Sequence, residues 1–286
     1  ERLCFIPGRK FTLPVDSAAV LQNNVVSADY AGDIVKQMNI NLSGKRYIQK
    51  NEFMVLDMLV QNNWKRPMYY AVTVGQENYV GLNNYFQLEG LAYRIAPVSS
   101  VGGQGRVDTE KMYDKVMNQF RWGFYNKPGI YLDENKTRMA SNLRHNLSRL
   151  ASALVEESLA LADTDEAASA EKRQKAIAVL DKIQAELPDS LIPHNFFSLT
   201  LAEGYYLTGE NAKGDEILEH YSLENWQELN YYMNLPIEKI STDEVQRCIA
   251  IFSYIEKTAE QFKRRELVDK LEKDYTSLLD KFEYMM

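Results

Sequence analysis

Apolar and polar positions divide the chain into two halves with different periodicities. Met38-Asn39-Ile40-Asn41-Leu42 places an apolar residue at every second position, the period of a half-buried strand, and Ser43-Gly44 supplies a turn after it. Tyr47-Ile48 reads as a short extended piece. From Asn51, taken as a helix cap, Phe53, Leu56, Met58, Leu59 and Val60 follow a helical face. Pro67 ends that helix, because its ring drives the preceding residue out of the helical region. Residues 68–74, rich in Tyr and Val, read as a strand, as do residues 91–95. In the latter, Leu91, Tyr93 and Ile95 share one face and Ala92 and Arg94 the other. The strand–helix–strand order predicts a small mixed α/β layer, closed by Pro97 and a loop over 99–105. A linking helix over 108–120 follows, with Lys127-Pro128-Gly129 as its breaker.

Beyond Asp133 the pattern becomes helical throughout. Met139, Leu143, Leu147, Leu150, Ala151 and Leu154 keep helical spacing over several turns. The small, acidic stretch 163–169 reads as a loop. Further helices are expected over 170–187, 195–207, 211–233 and 243–262, with a last one to the chain end. Within them, Ala176, Leu180 and Pro188 sit at the small, large and closing-proline offsets of a tetratricopeptide repeat. Leu201-Ala202, Tyr205, Gly209 and Leu218 continue the scheme, although Gly214 stands where a second alanine belongs. The fold class is therefore α+β: a mixed α/β module over 1–133, then an all-α domain of tetratricopeptide-like helical hairpins over 134–286.

With 286 residues the chain is long enough for two packed units, and 45% hydrophobic with 26% charged residues is ordinary globular usage. A net charge of −7, with no stripe of Lys and Arg interleaved with aromatics, argues against nucleic acid as a partner. No apolar run reaches the roughly 18–20 residues that span a bilayer; the best, 53–60, is broken by Asp57. The chain begins at Glu1 rather than Met, and its strand-like opening over 1–7 suggests a piece of something longer. Cys4 and Cys248 read as two buried free thiols, although one bridge between them stays open.

The residues offer no nucleophile, metal centre or cofactor site. His145, His194 and His220 have no second His, Cys or paired carboxylate at a metal-ligand spacing. Gly102-Gly103-Gln104-Gly105 lacks the Lys-Ser/Thr of a phosphate loop, no Gly-x-Ser-x-Gly elbow occurs, and Asp133-Glu134 reads as a helix start. The densest unusual patch holds Trp64, Arg66, Tyr69, Tyr79, Glu89, Tyr93 and Arg94. Such rings and charges can stack on and hydrogen-bond a sugar or peptide. The plainer reading, which we favour, is an aromatic core held by Glu89 with Arg66 or Arg94; on it Arg66 is structural.

That patch also carries a resemblance. Trp64-Lys65-Arg66-Pro67-Met68-Tyr69-Tyr70-Ala71, Tyr79-Val80-Gly81-Leu82 and Leu88-Glu89-Gly90-Leu91-Ala92-Tyr93-Arg94-Ile95-Ala96-Pro97, followed by Ile130-Tyr131-Leu132-Asp133, resemble the C-terminal soluble region of a bacterial polytopic membrane family. The family is domain of unknown function 2723, related to protein O-mannosyltransferases. The resemblance implies transferase chemistry with a lipid-linked sugar in membrane helices that this sequence does not contain, so no catalytic residue carries over. It implies a tail at the periplasmic face of the inner membrane, in contact with an acceptor protein, the membrane portion of the same chain, or a glycan. Asp16-Ser17-Ala18 and Asp189-Ser190-Leu191 are similar to bacterial O-glycosylation acceptor strings. The expected role is a non-catalytic extracytoplasmic domain; the alternative is a free-standing tetratricopeptide-type scaffold.

Overall fold

The computed structural model describes residues 8–100, 105–123, 126, 127 and 129–285. The strand-like opening with Cys4, the glycine run 102–104 and the proposed breaker Pro128 lie outside them. Two compact units, Glu1–Phe120 and Arg121–Met286, divide ahead of the 133/134 boundary read from the sequence.

In the first unit, β1 (Lys10–Pro14) pairs antiparallel with β2 (Gln37–Asn41), setting Phe11 opposite Ile40 and Leu13 opposite Met38. The period of two holds: Met38, Ile40 and Leu42 are buried, while Gln37, Asn39 and Asn41 are exposed. A second sheet runs β3 (Tyr69–Ala71), β5 (Ala92–Ile95), β4 (Phe86–Leu88) and β6 (Arg106–Val107), antiparallel except for the parallel β4–β6 edge. Strands β4 and β6 escape a periodicity search. All three residues of β4 are buried, so nothing alternates, and β6 has two residues. The short helix α1 (Ser17–Gln22), capped by Asp16 on the Ala19 N–H, was also unforeseen.

Helix α2 (Lys50–Asn62) is capped by Gln49 rather than Asn51, with the Gln49 N–H bonded to Glu52 at 2.8 Å. Its stop is not Pro67. Asn63 and Trp64 take positive φ of 40° and 63°, and the Asn62 amide bonds both backbone groups of Arg66. The apolar stripe splits: Leu56 and Leu59 are buried, whereas Phe53, Met58 and Val60 remain about half exposed. Leu56 and Leu59 join Val20, Met38, Ile40, Leu82, Phe86 and Ile95 in one core. Gly81 (φ +71°) passes so close to β2 that a Cβ would lie 2.8 Å from the Asn41 carbonyl oxygen. Helix α3 (Thr109–Asp114), capped by Asp108, runs into a π-turn over Lys115–Gln119 and ends at Phe120, before the expected breaker.

The second unit is helical: α4 (Glu134–Leu161), α5 (Glu166–Glu186), α6 (Phe196–Thr208), α7 (Asn211–Met233), α8 (Thr242–Gln261) and α9 (Arg265–Met285). Asp133 caps α4 through the Lys136 N–H. The expected loop at 163–169 is shorter, because Asp165 accepts from the Ala168 N–H and starts α5. Its buried end is tied by reciprocal hydroxyl-to-carbonyl bonds between Ser158 and Ser169. Consecutive helices pack as hairpins, α4 with α5, α6 with α7 and α8 with α9, while α4 and α8 also contact α6. Leu147, Leu150, Ala151 and Leu154 are buried on α4, but Met139 is 62% exposed. Ala176, Leu180, Leu201, Ala202, Tyr205 and Leu218 all lie in the helix interfaces. Gly209, at φ +92°, closes α6 and turns the chain into α7. Among the described residues no helix is long and apolar enough to cross a membrane.

Candidate functional site

Strands β4 and β5 bring part of the aromatic and charged patch together in the first unit. Tyr69 on β3 donates to Glu89 Oε2 at 3.0 Å, Gln87 Nε2 donates to Glu89 Oε1 at 2.7 Å, and Lys115 Nζ reaches Oε2 at 2.7 Å. Arg94 stands 3.6 Å from the same carboxylate and bonds the Asn24 carbonyl. Burial by itself would raise the Glu89 pKa, yet Lys115, Gln87 and Arg94 together hold it below the ordinary carboxylate value. The chain of contacts continues. The Gln87 side-chain amide oxygen Oε1 accepts from Arg106, whose guanidinium lies 4.1 Å over the Tyr30 ring and 3.7 Å from the fully buried Asp108. Ser27 and Lys111 complete the Asp108 shell.

The remaining predicted residues serve other ends. Tyr79 meets Tyr70 and Phe86 edge-on, Tyr93 stacks on Phe86 with centroids 5.2 Å apart, and Trp64 is buried. Arg66 corrects the structural reading. It is exposed, its guanidinium joins no ion pair or hydrogen bond among the described residues, and of the two arginines it is Arg94 that pairs with Glu89. The crevice beside Trp64, Arg66 and Arg94 is too narrow for a water molecule.

A more open arrangement lies in the second unit, where Pro188 and Pro193 keep the connection between α5 and α6 out of helical geometry. Arg144 of α4, with no exposed surface, grips this connection. Its Nη2 donates to the Leu187 and Ile192 carbonyls, both at 2.8 Å, and its Nη1 to Pro193 at 3.3 Å. Burial lowers the Arg144 pKa to about 10 against the pull of Asp189 and Glu224. The His194 N–H donates to Glu224 at 3.0 Å, and burial raises that carboxyl.

The His194 side chain is 1% exposed and its Nδ1 lies 3.0 Å from Ser198 Oγ. Burial, then the charge of Arg144, push its pKa down to about 4, so the ring is neutral at neutral pH. Its Nε2 faces Asp189 Oδ2 at 3.7 Å, and the same oxygen is 2.8 Å from Nδ1 of the half-exposed His220 on α7. For Asp189 burial opposes ionisation, but His220 and the Ser190 N–H outweigh it and lower the pKa. The three ligand-type atoms fall within 4.8 Å of one another. They border an open cavity of about 480 Å³ that Asp181, Tyr205, Lys213 and Glu216 also line. Lys213 and Tyr205 both donate to Asp181, at 2.7 and 2.9 Å.

The expectation that no histidine has metal-ligating company is thereby revised. Linear spacing could not reveal it, since Asp189 and His194 come from a loop and His220 from the following hairpin. The only sequence signal was a pair of prolines, Pro188 and Pro193, each followed at once by one of the groups, Asp189 and His194. His145, in contrast, stacks on Phe197 at 4.1 Å with its pKa lowered by burial.

Comparison with known proteins reaches the first unit alone. No curated protein and no solved structure matches the chain. Residues 1–111 match the family model described as TMEM260-associated domain 2, a domain tied to a membrane protein family.

Proposed function

We propose that this chain is a non-catalytic extracytoplasmic domain of a membrane glycosyltransferase-like protein of the polytopic family that its sequence resembles. It acts by contact. The observation that carries this reading is the match of residues 1–111 to a domain tied to a membrane protein family, in a chain whose described helices cannot themselves cross a bilayer. The helical unit supplies the docking surface, as stacked hairpins do by exposing a continuous face to a protein partner. Phe196 and Tyr254 support this. They meet edge-to-face with centroids 5.3 Å apart while 56% and 49% exposed, an aromatic pair suited to anchoring a partner. The partner is the acceptor protein or the membrane portion of the same polypeptide.

Two measurements on the full-length protein test the reading. Tyr131, 84% exposed, can be replaced by cysteine and challenged with a membrane-impermeant maleimide from outside the cytoplasmic membrane. Labelling without lysis is expected; labelling only after lysis refutes the location. A photo-cross-linking residue at Tyr254 should join the helical unit to membrane-embedded segments or to a glycosylated acceptor. Full-length protein that leaves the membrane on mild salt washing would favour the free-standing scaffold.

A further inference from the structure

The contact role leaves the cluster beside the second hairpin unused. We propose that Asp189, His194 and His220 form a binding site for a divalent transition-metal ion of the zinc class. Two imidazoles and a carboxylate are the donors such an ion prefers, whereas magnesium and calcium call for oxygen shells. The donor atoms stand 2.8 and 3.7 Å from Asp189 Oδ2 and all within 4.8 Å of one another. Ligands of tetrahedral zinc, each about 2.0–2.1 Å from the metal, lie about 3.3 Å apart. Closing the set requires movement of His220, whose side chain is 50% exposed and able to swing.

The other two ligands are already held. Ser198 fixes the His194 ring through Nδ1, leaving Nε2 directed at Asp189 without a hydrogen bond of its own among the described residues. Arg144 holds the loop carbonyls on both sides of Asp189. The open cavity gives an ion its route in and room for a water on the remaining position. Glu216, one helical turn before His220, lines the same cavity. Electrostatics permit the charge. The buried Arg144 opposes a cation, but Asp189 is within the cluster, Asp181 and Glu216 line the same cavity, Glu224 accepts from the His194 backbone N–H, and Lys213 is engaged by Asp181. The ion would tie the α5–α6 loop to α7 and so clamp two helical hairpins together.

The test uses the whole chain, freed of metal with a chelator and then dialysed against zinc chloride. One zinc per chain and a raised melting temperature are expected, with magnesium at the same concentration giving neither. Asp189→Asn and His220→Ala should each weaken zinc binding by roughly tenfold or more. Both should fold without metal, because the pair they break lies near the surface. Cobalt should give the visible absorption of a tetrahedral site in the wild type and in His145→Ala, and lose it in the two cluster variants. Lack of saturable zinc uptake overturns the proposal. So does uptake or a cobalt spectrum unchanged in Asp189→Asn and His220→Ala.

Discussion

Arg144→Met removes a side chain that has no exposed surface and no carboxylate within ion-pair distance, yet bonds three backbone carbonyls. Methionine fills nearly the same length, so cavity formation adds little and the polar loss dominates. Each buried carbonyl left without its donor costs about 1–3 kcal/mol. Leu187 and Ile192, bonded at 2.8 Å, lose most; Pro193, at 3.3 Å on the exposed edge, loses least. Against this, the variant no longer buries a charge. The depression of the Arg144 pKa to about 10 puts that relief at about 3 kcal/mol or less. The balance is a net destabilisation of about 2–4 kcal/mol. Arg144→Lys, which keeps the charge but cannot fork between two carbonyls, should fall between the wild type and the methionine variant. Urea unfolding followed by tryptophan fluorescence measures both, since Trp226 bonds the Asp274 carbonyl within the same unit. A methionine variant within about 0.5 kcal/mol of the wild type, or a lysine variant less stable than it, would refute the assignment of Arg144 as the clamp of the α5–α6 loop.

Three further outcomes follow from the charges of the two units. Glu89→Gln keeps the shape of a buried carboxylate but strands Arg94 and Lys115, and should cost about 2–4 kcal/mol in the same denaturation assay. Arg66→Ala should stay within about 0.5 kcal/mol, since its side chain has no partner among the described residues; the reverse ranking would show that the pairing is wrong. His194 gives a pH dependence. Its folded pKa of about 4 lies below its ordinary value near 6.5, so the unfolded chain takes up a proton first. Its contribution is fully present above about pH 6.5 and is lost as the pH falls towards 4, by at most about 3 kcal/mol. Glu224, raised by burial, works in the opposite direction, so the comparison is with His194→Gln, whose acid loss should be shallower. Identical pH profiles would place His194 in a solvated site.

How much of this the sequence disclosed depends on the range of the interactions that set each feature. Helices α4 to α9 were legible because their apolar residues recur within single turns, and α7 has the bounds that its pattern predicts. Strand β2 was legible for the same reason at period two. Failures begin where partners decide. Strand β4 is buried on both faces, so its alternation is absent, and β6 exists only because β4 offers it an edge. The end of α2 was assigned to Pro67 by a local rule, but the left-handed residues Asn63 and Trp64 acted first. The same divide separates the two polar clusters. Glu89 and Arg94 are neighbours across one tight turn, and their pairing was among the expected alternatives. Asp189 and His220 meet because one hairpin stacks on the next, and no period in the chain encodes that.

Arg144 shows how such a meeting is made secure. A helix ends with carbonyls that have no intrahelical partner, and α5 ends at Glu186, just ahead of Pro188, which cannot carry the chain on as helix. Water would ordinarily satisfy those groups, but Leu187 and Ile192 are fully buried. A cation supplied from α4 answers both needs, since it donates to the carbonyls and sits at the negative end of the α5 dipole. An isolated lysine could not span the same three acceptors, which is why a forked guanidinium occupies the position. The geometry of the loop is thus fixed from behind, by a residue that touches neither solvent nor the cavity. Its front is left to Asp189 and His194, one carrying charge and the other kept neutral by the burial that seats it. Because the constraint comes from α4 and the third group from α7, the two hairpins α4–α5 and α6–α7 must stack in register before the cluster exists. The polar site therefore reports the packing of the helical unit, and any change that shifts α4 against α6 should disperse it before the helices themselves melt.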